Sequence, residues 1–442
     1  MVTLSAEAGE LVRRLGTDRN RPLLDGGDRA ARLRSLLDAR GPAYAEAHAV
    51  IDVTSRSVLD LTLEVLAMAQ TDRVAVALGE RSYAVEIALG KAREALAVAL
   101  TRLRPTRVLV VTDEVVAGLH LPALEDVLAQ ADPQWVRVVL PAGERHKTMA
   151  SLETVLRAAV EAQVDRRSVL VAIGGGVVTD VGGLAAALAL RGIRWIGVPT
   201  TTLAMADASV GGKTAVDLGP AKNAVGAFHQ PAHVVVDPSL SRTESLRAYR
   251  SGLAEVVKAA LLGAPAIWEE LVERAEALGS REDEALLTRA MRAAIQVKAS
   301  IVSRDERETG ERTHLNLGHT VGHALEALGG FERWTHGEAV ALGLVAAMRV
   351  GEALGITPRE LGARVASVLE RLGLPTTVAD EEMREAMRLV HYDKKRVGKA
   401  IQFVVLREAG AVETVALSPA RLSEALCPDG TAERGEIPRQ AK

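Results

Sequence analysis

Glu255, Lys258, His319, His323 and His336 are the residues of this 442-residue chain whose types and spacing most invite chemistry. His314, His319 and His323, three of its ten histidines, fall in the single stretch RTHLNLGHTVGHALEAL. His319 and His323 are four apart, so on a helix they share one face. Two imidazoles at that spacing can grip one metal ion, as in the HExxH helices; the plain alternative is a pair of satisfied core histidines. Glu255 and Lys258 are three apart in the apolar helical pattern SGLAEVVKAALL. At a surface such a pair is worth about 0.2–0.5 kcal/mol, but a carboxylate buried among small apolar neighbours needs a partner or a metal. WTHGEAVALG sets His336 and Glu338 at the opening of a further helix. Glu255, His319, His323 and His336 thus form a candidate set for two histidines and one carboxylate around an open position, the arrangement of a catalytic zinc. Chemistry alone does not choose which three ligate.

A second set suits phosphates. In SVLVAIGGGVVTDVGG a hydrophobic strand ends in Gly174, Gly175 and Gly176, and a helix is expected to begin near Asp180. Glycines at a strand-to-helix turn let the backbone approach a pyrophosphate, whose charge the helix N-terminus favours. The pattern is not GxGxxG, and a tight turn without a ligand would read the same way. Glu144 and Lys147 follow another strand in VLPAGERHKT, and Asp113 ends the strand VVTDE, where a carboxylate commonly takes ribose hydroxyls. Together they point to a dinucleotide. The segment VPTTTLAMADASVGGKTAVDLGPAKNAVGAFHQP collects Thr200, Thr201, Asp207, Lys213, Lys222 and Asn223 in what reads as a loop broken by Gly and Pro. So many polar groups are costly as mere packing. The lysines and asparagine suit an anionic substrate, phosphate or carboxylate.

The elements that must position these residues follow from the hydrophobic pattern. Short β-branched runs (RVAVAL, RVLVVTD, VRVVLPAG, SVLVAIGGG, IRWIGVP, AHVVVDP) alternate with helical stretches from about residue 73, which predicts buried parallel strands in an α/β layer domain. From about 246 long amphipathic helices take over, with AIQFVVL and AVETVAL as a small late hairpin. Residues 429–442 are polar and expected to fray. The formal net charge of −3 offers no polyanion-binding surface, so nucleic acid is not an expected partner. The single cysteine, Cys427, excludes an internal disulfide and fits a reducing cytoplasm. The longest apolar runs fall far short of the ~20 residues of a membrane span. No signal peptide is read at the start.

These blocks, in this order, resemble the 3-dehydroquinate synthase family of sugar phosphate cyclases. The resemblance runs from about 73 to 425 through PAGERHKT, GGGVVTDVGG, RGIRWIGVPTTTLAMADASVGGKTAVD, KNAVGAFHQP, GLAEVVK, SRDERETGERTHLNLGHTVGHALE, HGEAVALG and DKKRVGKAIQFVVL. It implies a Rossmann-like NAD-binding α/β domain (73–245), an all-helical metal-binding domain (246–428) and a homodimer. It also implies that the metal, Zn²⁺ or Co²⁺, is held by Glu255, His319 and His336, with His323 turned to the substrate phosphate. The implied reaction converts 3-deoxy-D-arabino-heptulosonate 7-phosphate to 3-dehydroquinate. NAD⁺ takes a hydride from C5, phosphate is eliminated, NADH returns the hydride, and the opened ring closes by an intramolecular aldol step. By position, Asp207, Lys213, Lys258 and Lys298 would orient the substrate hydroxyls, and Arg312 would take the carboxylate. Asn223, Asn316, His323 and Lys395 (or Lys394) would take the phosphate, with Arg191 donated across the dimer. For NAD the implied residues are Asp113, Gly143, Glu144, Lys147, Gly175, Gly176, Val177, Val178, Thr179, Asp180, Thr200, Thr201, Lys213, Lys222 and Thr243. Sister cyclases that make valiolone-type or aminodehydroquinate products would not need Arg312 and Lys298 in this form. A metal-dependent polyol dehydrogenase has no use for the anion groups, and a pseudoenzyme would tend to lose a ligand. The chain departs from the family at TESLRAYRSGLAE. Glu244, Ser245, Leu246 and Ala248 stand there in place of the usual Thr-Leu-Pro run and the glutamate after the arginine.

Residues 3–70 resemble something else, the C-terminal half of the shikimate kinases. LVRRLGTDRNRPLLDGGDRAARLRSLLDARGPAYAEAHAVIDV matches their lid, their RPLL segment and their R-x-P-x-Y helix. The match places Arg14 and Arg21 at lid positions and Arg40 at a shikimate-carboxylate position. The P-loop, GxxxxGK(S/T), is absent, so no kinase activity is expected of this chain. Residues 1–70 are expected to be either what remains of a bifunctional kinase–synthase whose start has been cut late, or a relic serving as a packing or interaction module.

Overall fold

The structure, a computed structural model, describes residues 73–219, 221–397 and 400–427, and before them residues 2–6, 8–15, 28–45, 49–52, 58 and 61–62. The chain divides into two compact units, Met1–Ala84 and Val85–Lys442.

In the first unit β1 (Val2–Ser5) pairs in parallel with β2 (Ala49–Asp52), Val2 opposite Ala49. Between them in sequence lie α1 (Ala8–Leu15) and α2 (Arg29–Ala45), and β3 (Arg73–Val76) follows. Arg14, one of the lid-like arginines, is exposed on α1 with its Nε 2.7 Å from Glu10 Oε1. Arg21, the side chain of Arg40 and the tail 429–442 lie outside the described residues.

The chain crosses into the second unit within β4 (Tyr83–Ile87) and continues with α3 (Ala92–Leu103), β5 (Val108–Asp113), α4 (Glu114–Leu119), α5 (Glu125–Ala131) and β6 (Val136–Leu140). Next come α6 (Met149–Glu161), β7 (Val169–Gly174), α7 (Gly176–Leu188), β8 (Arg194–Pro199), the hairpin β9 (Lys213–Leu218) and β10 (Ala221–Phe228), and β11 (His233–Val236). The sheet runs β4-β11-β8-β7-β5-β6 with every neighbour parallel. Period-2 alternation splits its residues between two cores. Val108, Val110, Val169 and Val171 pack with Leu96, Leu100 and Leu128 on one face. Leu109, Val111, Leu170 and Ala172 pack with Leu152, Val155, Val181 and Leu184 on the other. Strands covered on both faces read as the continuous β-branched runs that predicted them. β5 connects onward to β6 on one side while its neighbour β7 connects to β8 on the other. Their carboxyl ends, Asp113 and Gly174, therefore flank the switch point where open α/β sheets bind ligands.

Two local expectations need correction. Helix α7 begins at Gly176, about a turn before Asp180. Val178 lies in its first turn, so close to Gly174 that a Cβ on that glycine would meet Val178 Cβ at 2.6 Å. The polar segment after Thr200 is not a loop throughout: a π-helical turn, Ala204–Ala208, leads into the antiparallel β9–β10 hairpin. Its inward residues are few and small. Val216 joins the core of Trp195 and Leu184, and Gly183 lets β9 approach α7 so closely that a Cβ there would meet Thr214 Cγ2 at 2.4 Å.

The helical part comprises α8 (Leu246–Gly263), α9 (Pro265–Gly279), α10 (Glu284–Arg304), α11 (His319–Leu328), α12 (His336–Ala353), α13 (Arg359–Arg371), α14 (Asp380–Val397), the predicted hairpin β12 (Ile401–Glu408) and β13 (Ala411–Leu417), and α15 (Pro419–Leu426). α8 is buried along most of its length because Leu253, Val256, Val257 and Leu261 leave no face for water. An α/β sheet unit followed by helices is the expected class. Among the described residues, no helix is long and apolar enough to cross a membrane.

Candidate active site

Three helices bring the metal-capable residues together. Glu255 sits in the buried middle of α8, whereas His319 and His336 are the first residues of α11 and α12. The start of α12 is fixed by a capping box: Glu338 N donates to Thr335 Oγ1, and Thr335 N donates to Glu338 Oε2 at 2.8 Å. Close approach depends on glycine. A Cβ on Gly337 would lie 1.7 Å from Ser251 O of α8, and one on Gly343 would lie 1.8 Å from Gly318 O beside α11.

Glu255 Oε1 lies 3.6 Å from His319 Nε2 and 3.5 Å from His336 Nε2. Two ligand atoms on a tetrahedral Zn²⁺ with bonds of about 2.0–2.1 Å stand roughly 3.3–3.4 Å apart, so the three residues fit a zinc ion with little movement. Neither Glu255 oxygen is in hydrogen-bond geometry with a donor, although the residue is 1% exposed. A buried carboxylate facing two imidazole nitrogens suits a divalent cation as a further partner. Lys258 Nζ, 2.5 Å from Glu255 Oε2, supplies one positive charge. Burial opposes ionisation of Glu255, yet Lys258 and the two histidines hold its carboxyl well below the usual range. Burial, then Lys258, pushes His319 down to about 3, leaving it neutral as a ligand must be. Burial lowers His336 too, but Glu255 and Glu326 outweigh it and raise it to about 10. Metal binding would therefore displace a proton from His336.

Around this group stand the residues expected to orient hydroxyls. Lys298 Nζ donates to Asp207 Oδ1 at 2.7 Å and to Asp207 O at 2.6 Å. Burial lowers the Lys298 pKa. Asp207 is held below its ordinary value by Lys298 and Lys258 against the effect of burial. The His323 ring meets His319 edge-on at 5.2 Å between centroids, and its side chain is exposed. Lys213 pairs with Glu308, which also accepts from Asn316 Nδ2 at 3.0 Å. Arg312 is 1% exposed; Nη2 donates to Gly211 O at 3.1 Å, Nη1 donates to Glu306 O, and the guanidinium lies 5.7 Å from the Phe228 ring centre. Its fork is thus turned to backbone carbonyls. Arg191 is exposed at φ 65° just beyond α7. The side chains of Lys394 and Lys395, near the end of α14, lie outside the described residues.

The nucleotide group forms a second cluster. Lys147 Nζ is 2.5 Å from both Asp180 Oδ2 and Asn223 Oδ1, so Asn223 stands with this group. Burial pushes Asp180 up to about 6 against the pull of Lys147. Lys147 itself is raised, since Asp180 and Glu144 outweigh its desolvation. Lys222 Nζ lies 3.3 Å from Glu144 Oε1 and 4.4 Å from the centre of the Phe331 ring. Gly175 caps α7 without a side-chain bond, which leaves the first amides of Gly176 and Val177 to a ligand. Gly143 takes φ 105°, a conformation glycine adopts freely. Thr179 Oγ1 donates to Gly176 O at 3.0 Å, Thr200 N donates to Gly174 O at 3.0 Å, and Thr201 Oγ1 accepts from Ala204 N at 3.2 Å. Asp113, expected as a ribose carboxylate, caps α4 by accepting Val115 N and Val116 N, both at 2.9 Å. Thr243 Oγ1 lies 2.8 Å from His120 Nε2.

The sequence reading passed over Glu308, Glu326 and His120. Glu326 carried a signal, since it stands three residues after His323 and seven after His319 on one helix face. Glu308 carried none, because it meets Lys213 across 95 residues of chain.

Glu244, where the chain departs from the family pattern, accepts Thr202 N on Oε1 and Thr202 Oγ1 on Oε2 at 3.0 Å. Burial, opposed by those bonds and by Arg281, pushes its carboxyl up to about 7. A raised acid in the folded state binds more protons than the unfolded chain between pH ~4.5 and ~7, so stability falls as pH rises through that window. Glu244→Gln is expected to flatten the dependence and to gain on the order of 3 kcal/mol over the wild type at pH 8 relative to pH 4. Urea unfolding at the two pH values measures it, and parallel curves for the two chains would reject the assignment.

Residues 137–251 match the family model described as 3-dehydroquinate synthase N-terminal, and residues 252–396 match the one described as 3-dehydroquinate synthase C-terminal. The chain is 41% identical over 362 residues to a 3-dehydroquinate synthase of Paracoccus denitrificans, covering 80% of this chain and 98% of the relative. Among solved structures it is similar to a 2-epi-5-epi-valiolone synthase from Streptomyces hygroscopicus subsp. jinggangensis 5008 with NAD⁺ and Zn²⁺ bound. That match has a TM-score of 0.70 and 28% identity and covers 80% of this chain and 98% of the other. A 2-deoxy-scyllo-inosose synthase complexed with carbaglucose-6-phosphate, NAD⁺ and Co²⁺ shares the fold, with a TM-score of 0.69 and 22% identity over 80% of this chain and 99% of the other.

Proposed function

The chain belongs to the 3-dehydroquinate synthase family, and from that premise we propose that it converts 3-deoxy-D-arabino-heptulosonate 7-phosphate to 3-dehydroquinate and phosphate, recycling NAD in each turnover. The observation that carries this reading is the Glu255–His319–His336 group, its carboxylate buried and its imidazoles partly exposed, with Lys258, Asp207 and Lys298 close by. Bound there, Zn²⁺ or Co²⁺ would polarise the hydroxyl being oxidised, and a nicotinamide would hold and return the hydride. The chain's own groups do the rest. Asp207, kept ionised by two lysines, accepts a hydroxyl proton, while Lys258 and Lys298 fix the hydroxyls by donation. Lys213 and Asn316, joined through Glu308, form a polar wall that suits the anionic end of the substrate.

Lys147, Asp180, Glu144, Lys222, Thr243 and the amides at Gly175 and Gly176 are assigned to NAD. The nucleotide is assigned to residues 73–245 and the metal to residues 246–428. Arg312, His323, Asn223 and Lys395 are assigned to the substrate carboxylate and phosphate. For Arg312 this requires its fork to leave the Gly211 and Glu306 carbonyls when substrate arrives. We assign a homodimer in which Arg191 reaches the partner's site. Leu188 and Leu190 beside it are 50% and 48% exposed, an apolar patch that a second copy would cover. The single cysteine suits a cytoplasmic location.

The test is phosphate release from the heptulosonate phosphate with catalytic NAD⁺ and Zn²⁺, followed together with absorbance at the NADH band. Stoichiometric phosphate with no net NADH, abolished by EDTA, is the expected result. Accumulating NADH would replace the proposal with a polyol dehydrogenase, and turnover only of a sugar phosphate without a carboxylate would replace it with a sister cyclase.

A further inference from the structure

Glu326 has no role in the reading so far. It is 3% exposed on α11, on the face that carries His319 and His323. Its Oε2 lies 3.3 Å from His336 Nδ1, and its Oε1 lies 3.7 Å from Lys222 Nζ. The other ring nitrogen, His336 Nε2, faces Glu255 Oε1 at 3.5 Å. The imidazole is therefore held from both sides by buried carboxylates, one in the ligand group and one behind it.

We propose that Glu326 is a positioning residue of the metal centre, accepting the Nδ1–H of His336 so that the Nε2 lone pair is directed at the site shared with Glu255 and His319. The inference rests on the reading of those three residues as metal ligands. A carboxylate behind a ligating imidazole fixes the tautomer and the ring plane and raises the ligand's basicity. The same carboxylate anchors Lys222, which reaches on to Glu144, so one buried group touches both the metal cluster and the nucleotide cluster. A competing arrangement is also built from these atoms. Ligand atoms of His323, Glu326 and His336 lie within 4.8 Å of one another, as do those of Glu255, His319 and His336. In the competing case Glu326 would bind the ion itself.

Chelator competition with Co²⁺ and Zn²⁺ on the full chain separates the cases, with the Co²⁺ visible absorption as a second readout. The wild type is expected to bind one ion, and Glu255→Gln to lose it. Glu326→Gln is expected to bind about 10- to 100-fold more weakly, keeping a Co²⁺ band that is shifted. In a His336→Gln background the Glu326→Gln change is expected to cost nothing further, because its effect runs through that ring. Should Glu326→Gln fail to fold, Glu326→Asp, which keeps the charge but withdraws it by one methylene, is expected to weaken binding by a smaller factor. Affinity within twofold of wild type and an unmoved band in the variant that folds would overturn the proposal. So would binding that survives Glu255→Gln but disappears with Glu326→Gln, which would place the ion on His323, Glu326 and His336. A wild type that binds no ion overturns the ligand reading itself, and this inference with it.

Discussion

Glu255→Gln is expected to lower phosphate release at least ~10³-fold while leaving the chain folded. The size follows from the role proposed for the carboxylate: a Lewis acid at the reacting oxygen would contribute several kcal/mol of charge stabilisation, and about 4 kcal/mol corresponds to a thousandfold in rate. Glutamine has the same volume, so no cavity forms in the packed middle of α8, where Ala254, Val256 and Val257 are also buried. Alanine would confuse the test, because it would open a void and remove the group facing the buried Lys258. With glutamine the Lys258 charge keeps Asp207 as a neighbour, and Asp207 already helps to hold its pKa up. The expected pattern is lost turnover and lost metal in a chain that still folds, less stable than wild type because Lys258 loses its nearest counter-ion, with NAD⁺ affinity retained. Turnover within tenfold of wild type would remove Glu255 from the ligand set.

The legible part of this molecule is the part whose physics is periodic. RVLVVTD and SVLVAIGGG are strands because both of their faces are covered, and alternation assigns Val108 and Leu109 to opposite cores. The capping box at Thr335 and Glu338 could likewise be read from spacing alone. What spacing cannot supply is which distant residues meet. Four candidate ligands stood in the sequence. Which of them meet depends on α12 approaching α8 at Gly337 and the start of α11 at Gly343, contacts that no local pattern encodes. His314, equally suggestive by type, lies instead on a short 3-10 turn lining a cavity of about 530 Å³ with Arg304, Glu311 and Val412, and no part of the ligand group lines that cavity. The β9–β10 hairpin was hidden for a related reason: few residues such as Val216 and Val225 turn inward, and its alternation is masked by the polar Lys213, Lys222 and Asn223 and by a register shift between Ala221 and Val225. Chemistry displaced the usual strand signal there.

Lys258→Met is expected to separate the electrostatics of the chelator-treated protein from those of the Zn²⁺-saturated one. Lys258 is 2% exposed, and burial works against its charge, yet its pKa is raised because Glu255 and Asp207 face it. Removing the ammonium leaves the buried Glu255 and the partly exposed Asp207 to Lys298 and the histidines, and breaking a buried pair from one side typically costs about 3–5 kcal/mol. Urea unfolding of the metal-free chain should show that loss. It should be larger at pH 8 than at pH 5, because without Lys258 the Glu255 carboxyl rises toward its buried value and escapes part of the cost by taking a proton in acid. A divalent ion brings two positive charges to the same carboxylate, so saturating Zn²⁺ should restore most of the stability. The ion also no longer meets a neighbouring like charge, and its affinity is expected to rise at least about tenfold above wild type. Phosphate release should nevertheless fall by roughly 10²-fold or more, since the donor proposed to position the substrate hydroxyls is gone. Tighter metal with poorer turnover is a combination that a merely misfolded site would not produce. A metal-free Lys258→Met chain as stable as wild type at pH 8 would show instead that the histidines alone keep Glu255 ionised. The lysine would then act on substrate and not on the architecture of the site.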